Sequence, residues 1–234
     1  MSNYVAEFFG TLLLVLLGDG VVASVLLKKT KSENAGWLAI TIGWGLAVML
    51  AIYAVGRISG AHLNPALTLA FAFNGIFPAD QAMGYILSQF AGAFTGAVLV
   101  WVHFLPHWRE TPDGQTKLAV FCTAPAIRHT LSNLFSEIMA TAVLTLALLF
   151  IGANKFAEGL NPVIVGTLIV SIGLSLGGTT GFAMNPARDL GPRFAHFILP
   201  IHGKGNSDWG YAWIPVVGPL LGGLLGAWVY QIIF

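Results

Sequence analysis

The sequence predicts an all-α membrane protein with six transmembrane helices plus two re-entrant half-helices in an inverted repeat. Three observations predict it. The chain of 234 residues is 56% hydrophobic and only 9% charged. A soluble domain carries about 25% charged residues, so this chain has too few to cover a water-facing surface. Six apolar runs are of membrane-spanning length. Two shorter apolar stretches, each opened by Asn-Pro-Ala, stand at matching places in two halves.

A membrane helix needs roughly 20 mostly apolar residues. The runs Tyr4–Leu27, Trp37–Arg57, Met83–Leu105, Leu131–Ala153, Asn161–Leu176 and Trp213–Phe234 meet that need, the fifth being the shortest. No basic stretch precedes the first run, whose first charge is Glu7. The run is therefore expected to be a span rather than a cleaved leader. Polar connections fall at Lys28–Gly36, Pro106–Thr130, Asn154–Leu160 and His202–Tyr211. A bundle of this size is expected to form one domain over residues 1–234, with its repeats at approximately 1–108 and 130–234.

The stretches Pro65–Phe77 and Pro186–Leu199 are too short to span. Asn is a favoured N-cap and Pro a favoured first helical residue. Each triplet, Asn64-Pro65-Ala66 and Asn185-Pro186-Ala187, thus marks the start of a helix of about three turns. Short hydrophobic segments in corresponding positions point to half-helices with a site between them.

The halves correspond residue by residue. Glu7 and Thr11 are matched by Glu137 and Thr141, and Gly92 and Gly96 by Gly222 and Gly226, each 130 positions on (residue 137 against residue 7). Three spans per half is an odd number, so the second half enters the membrane in the opposite sense. The glycine pairs are small-xxx-small patterns that let helices approach closely in lipid. Gly56/Gly60 and Gly173/Gly177 add to them.

Two half-helices meeting start to start have a definite electrostatic effect. Each contributes roughly half a positive charge at its N-terminus, and together they oppose cations and protons at the membrane centre. The amides of Asn64 and Asn185 offer donors to a passing oxygen. The extended segments before them expose carbonyls, and such backbone is tolerated at this depth only where it lines a cavity or is buried in protein. The carbonyls of Gly60, Ala61, His62, Gly181, Phe182 and Ala183 are candidates for a ladder of acceptors.

Glu7 and Glu137 are acids within spans, and such residues are functional hypotheses by default. They are candidates for a proton relay in a coupled transporter, or for acceptors that satisfy unpaired amides of the re-entrant segments. Their repeat symmetry favours the second role. Asp19 has no counterpart in the other half. The outer mouth or a neighbouring subunit are its two expected surroundings. Cys122 is the single cysteine, an inert loop thiol, and excludes an internal disulfide. No nucleophile–base pair, nucleotide loop or metal cluster is visible. An enzyme, a cofactor and a metal are therefore not expected, and the net charge of +1 gives no sign of nucleic acid.

The segments Ser59-Gly60-Ala61-His62-Leu63-Asn64-Pro65-Ala66 and Gly181-Phe182-Ala183-Met184-Asn185-Pro186-Ala187-Arg188-Asp189 resemble the major intrinsic protein (aquaporin) family. The resemblance extends over nearly the whole chain. It implies the aquaporin-like fold, a homotetramer with a pore in each subunit, and a multi-pass protein of the cell membrane with cytoplasmic termini. It also implies a four-residue selectivity filter, which falls on Trp44, Gly173, Phe182 and Arg188. Water-selective members place a histidine where Gly173 stands and a small residue where Phe182 stands. Here the glycine would leave a wider opening, Trp44 and Phe182 would form an apolar corner, and Arg188 would offer N–H donors in a fixed fork. That set resembles the bacterial glycerol facilitators, as do Asp189 directly after Arg188, Arg193, and Pro219-Leu220. Asp189 is expected to support the local backbone. The implied partners are glycerol, related small neutral solutes, water and membrane lipid. The loop charges disagree with the implied orientation. Of eleven Lys and Arg residues, only Arg57 and Lys155 lie on the side that holds the N-terminus, and positive charge favours the cytoplasm. A passive channel for polyols, a water-selective channel and an ion-coupled transporter are the readings to separate.

Overall fold

The computed structural model describes all 234 residues. It is built of helices alone. They are α1 (Asn3–Leu26), α2 (Gly36–Ser59), α3 (Pro65–Phe73), α4 (Ala82–His103), α5 (His107–Glu110), α6 (Gly114–Phe121), α7 (Thr130–Gly152), α8 (Asn161–Ser175), α9 (Pro186–Ile198) and α10 (Ile214–Ile233). Helices α1, α2, α4, α7 and α10 are long and apolar enough to cross a membrane. Helix α8 has 15 residues. At 1.5 Å per residue it covers only about 22 Å, short of the roughly 30 Å hydrocarbon core.

Close backbone approach holds the spans together. A Cβ added to Gly92 would overlap the Phe8 carbonyl of α1, and one on Gly96 would stand 2.7 Å from the Leu12 carbonyl oxygen. In the other half, Gly222 faces the Ile138 carbonyl of α7, and a Cβ on Gly226 would stand 2.5 Å from the Ala142 carbonyl oxygen. All four partners obey the 130-residue offset. The α1–α4 and α7–α10 crossings are therefore the same packing made twice. The halves meet where α2 crosses α8. There a Cβ on Gly45 would lie 2.6 Å from the Gly166 oxygen, and one on Gly166 would lie 2.8 Å from the Gly45 oxygen.

The half-helices are clamped by the spans of both halves. Helix α3 packs on α10 and α4, and α9 packs on α4 and α10. Gly223 faces the Ala66 oxygen of α3, and Gly191 of α9 faces Ala93 and Phe94 of α4.

Two boundaries differ from the sequence expectation. Helix α3 stops at Phe73 rather than running on to Phe77, because Gly75 turns the chain at φ 70° and the Ile76 and Phe77 amides both return to the Phe71 carbonyl. The connection 106–130 is partly ordered as α5 and α6. Asp113 caps α6 by accepting from the Thr116 amide at 2.7 Å. Trp108 stacks on Phe121 with ring centroids 5.4 Å apart. Cys122 ends α6 and is buried.

Candidate functional site

The site begins with two buried carboxylates. Glu7 of α1 accepts from the Ser59 hydroxyl at 2.6 Å, the His62 amide at 2.9 Å, the Leu63 amide at 2.7 Å and the Gln89 side-chain amide at 2.7 Å. Glu137 of α7 accepts from the Thr180 hydroxyl at 2.6 Å, the Ala183 amide at 3.1 Å and the Met184 amide at 3.0 Å. Each donor in the second set lies 121 positions after its counterpart in the first (residue 180 against residue 59). Both carboxylates thus hold an irregular backbone that no helix satisfies.

That backbone is bent in the same way twice. Ala61 and Leu63 have φ of 51° and 53°, and Phe182 and Met184 have φ of 40° and 50°. The left-handed region costs a non-glycine residue of order 1–3 kcal/mol and persists only where surroundings over-determine it. The glutamates supply that determination. Amide and carbonyl point oppositely across a trans peptide bond. The His62 and Leu63 amides point at Glu7, so the carbonyls of Ala61 and His62 point away from it, towards the cavity these residues line. The Ala183 and Met184 amides aim the Phe182 and Ala183 carbonyls in the same manner. Gly60 and Gly181 line the cavity too. None of these six carbonyls accepts a hydrogen bond from within the protein.

The half-helices meet at their first residues. Asn64 caps α3 by accepting from the Ala66 amide at 2.9 Å, and Asn185 caps α9 by accepting from the Ala187 and Arg188 amides at 3.0 and 3.1 Å. Pro65 and Pro186 occupy the first helical position, where no amide donor is needed. Asn64 Nδ2 donates to the Met184 carbonyl at 2.8 Å, and Asn185 Nδ2 donates to the Leu63 carbonyl at 2.7 Å. One hydrogen of each side-chain amide is thereby spent across the junction, and one is left for the cavity. Ala66 and Ala187 are buried behind the prolines.

The cavity holds about 240 Å³, and 16 of its 24 lining residues are hydrophobic. Its polar side consists of the re-entrant carbonyls, the two asparagines and Arg188. Its apolar side comes from α1, α2, α7 and α8, including Val48, Leu144 and Ile169. Trp44, Phe182 and Arg188 all line it. The Arg188 guanidinium carbon lies 4.0 Å from the Trp44 ring centroid, and Nη1 donates to the Phe121 carbonyl at 3.1 Å. The Phe182 ring meets Trp37 edge-on at 5.7 Å.

Gly173 is the exception among the four positions expected to form a filter. It is outside the lining. A Cβ there would overlap Thr41 Cγ2 and lie 3.0 Å from Phe182 Cζ. Phe182 fills the space in front of it, and Trp37 Nε1 donates to its carbonyl at 3.1 Å. The expectation of a wider opening at Gly173 is thus replaced by a close helix contact that seats an aromatic ring.

Asp189 does not line this cavity. It accepts from the Thr123 amide and hydroxyl, both at 2.8 Å, and from Arg193 Nε at 2.9 Å. Arg193 in turn donates to the Ser207 and Thr123 carbonyls at 2.8 and 3.0 Å. The pair ties two connecting segments to α9 directly behind Arg188. His62 lies beside α3, 3.2 Å from the Thr68 hydroxyl and edge-on to Phe71 and Phe77. Asp19 takes neither surrounding expected of it. It is fully buried within the subunit, 3.2 Å from Arg188 Nη1.

Several contributors escaped the sequence reading. Ser59 and Thr180 were detectable, because hydroxyl residues recur at the offset of the asparagines. Gln89, Phe121 and the Leu63 and Met184 carbonyls carried no such signal.

Residues 1–230 match the Major intrinsic protein family. The chain is 61% identical over 234 residues to the probable glycerol uptake facilitator protein of Thermotoga maritima, with 100% of both chains covered. It is 58% identical over 234 residues to the glycerol uptake facilitator protein of Bacillus subtilis, covering 100% of this chain and 85% of that one. The X-ray structure of the aquaglyceroporin from Plasmodium falciparum superposes with a TM-score of 0.86 at 30% identity, over 98% of this chain and 94% of the other. By sequence over almost its full length and by fold, the chain belongs to the major intrinsic protein family.

Proposed function

We propose that this protein is a passive channel through which glycerol and other small uncharged solutes, with some water, diffuse across the cell membrane. The observation that carries the reading is the two-sided cavity. Six unpartnered carbonyls, two half-free asparagine amides and Arg188 stand along one side, and hydrocarbon side chains stand along the other. A polyol has the same two sides, hydroxyls on one edge and carbon on the other. Each hydroxyl exchanges water for a fixed partner, and the carbon chain loses little by leaving water. The names of the relatives support the same solute class.

Ions are refused for two reasons. Both helix starts present positive potential at the asparagine junction, and nothing in the cavity replaces a full hydration shell. Glu7 and Glu137 act as fixed supports rather than as a proton relay. Their oxygens are occupied by amides and hydroxyls of the re-entrant segments, and neither residue lines the cavity. That supports a passive channel over a coupled transporter. The Trp44–Phe182 corner supports a polyol channel over a water-selective one.

In this reading the channel is a homotetramer with one pore per subunit and both termini in the cytoplasm. Stopped-flow light scattering on vesicles containing the purified protein tests the central claim. Glycerol entry is expected to be linear in concentration, without saturation and independent of a proton gradient. Flux that follows an imposed proton gradient refutes the passive reading, and fast water flux without glycerol flux refutes the solute.

A further inference from the structure

Arg188 has a partner that the repeat does not supply to the other half. Asp19 stands on α1 between Gly18 and Gly20, fully buried and outside the cavity lining. The equivalent position of the second half, 130 residues on, is Leu149. Asp19 Oδ1 lies 3.2 Å from Arg188 Nη1. Neither carboxylate oxygen has an aligned hydrogen-bond donor, so the contact is a pairing of charges.

Its surroundings leave it no other role in balancing charge. The adjacent acid, Asp189, is already paired with Arg193. Gly18 lets α1 approach at this level, because a Cβ there would overlap the Trp44 ring. The guanidinium is therefore enclosed by the Trp44 face, the Phe121 carbonyl and Asp19. Of the three, Asp19 alone is an acid.

We propose that Asp19 is the fixed counter-ion of the filter, and that it makes the channel selective for neutral solutes over small anions. Arg188 keeps donors free for hydroxyls, while its net charge is cancelled from behind. This inference rests on the reading of the cavity as a path for neutral polyols. An uncompensated cation in a narrow, low-dielectric cleft focuses its field on the path and gathers anions. With Asp19 in place the constriction offers hydrogen bonds without that field.

The test uses the full chain in vesicles bathed in potassium nitrate with valinomycin, so that potassium entry balances the charge, measuring nitrate entry beside glycerol entry. Asp19→Asn keeps the shape and removes the charge. Nitrate entry is expected to rise about tenfold or more over the unsubstituted protein, the low end of focusing by a charged cleft, while glycerol entry changes far less. The pair Asp19→Asn with Arg188→Gln is expected to return nitrate entry to its starting level, which a merely structural role would not predict. Unchanged nitrate entry through folded Asp19→Asn overturns the proposal. Should Asp19→Asn not fold, the neutral pair decides. Recovery of folding by the pair supports charge compensation, and failure to recover shows Asp19 to be a packing residue and overturns it. Absence of glycerol flux in the unsubstituted protein would sink the polyol reading, while the nitrate comparison would still judge Asp19.

Discussion

Converting the proposed filter to a narrower, water-favouring one is expected to require three substitutions rather than one. A side chain at Gly173 starts 2.1 Å from Thr41 Cγ2, well inside van der Waals contact distance, and 3.0 Å from Phe182 Cζ. Gly173→His alone therefore overpacks the α2–α8 contact, at a cost of about 1–3 kcal/mol. Phe182→Ala removes one obstacle. Thr41→Ser removes the other, and its hydroxyl can keep the 2.5 Å bond to the Trp37 carbonyl. In the triple variant the imidazole takes the space of the lost ring and the apolar corner is gone. If two carbons of glycerol lose that corner, at about 0.8 kcal/mol per CH₂ the barrier rises by about 1.6 kcal/mol. That is a fall of about 15-fold in glycerol flux, since about 1.4 kcal/mol is tenfold. Water has no carbon to lose. Stopped-flow light scattering gives both fluxes on the same vesicles. A glycerol-to-water ratio that stays within about twofold of the starting protein, against that 15-fold expectation, would show that the Trp44–Phe182 corner does not set solute choice.

Three further expectations follow from the geometry. Gly96→Val and Gly226→Val each drive a side chain into a backbone carbonyl that cannot retreat, so both are expected to abolish monodisperse protein in detergent. Normal elution of either would remove the tight-crossing argument. Glu137→Gln replaces the acceptor of the Met184 amide by a donor, leaving a buried amide unpaired at about 1–3 kcal/mol; a lowered thermal midpoint with reduced glycerol flux is the expected result, and an unchanged midpoint would contradict the support role. Asn64→Asp retains an N-cap oxygen but deletes the donor to Met184 and adds negative charge at the junction. It is expected to fold and to admit sodium, read with a sodium-sensitive dye inside the vesicles, and continued exclusion would show that the barrier lies elsewhere.

Much of the architecture was legible in the chain because lipid imposes strict rules on it. Span length, the scarcity of charge and the Asn-Pro helix starts are local properties. The 130-residue offset paired the glycines before their carbonyl partners were known. The site was less legible where it depends on approach between distant segments. Gly173 resembled an opening in the sequence, yet in the fold it is a floor under Phe182. Asp19 gave no sign of its partner, because Arg188 lies 169 positions further on (residue 188 against residue 19) and no counterpart marks it in the repeat. The Leu63 and Met184 carbonyls were invisible for a different reason. Any residue has a carbonyl, and only the two asparagine amides crossing the junction distinguish these.

What the sequence determined by itself was the set of elements and their pairing, since periodicity, apolar length and capping chemistry belong to each segment alone. What the tertiary structure decided was the direction of the groups that meet a solute. The two glutamates pull the re-entrant amides outward and turn the carbonyls inward, and the α1 approach at Gly18 sets Asp19 against Arg188. Both results depend on the packing of helices from separate parts of the chain, which fixes the aim of a dipole or a charge that composition can only supply.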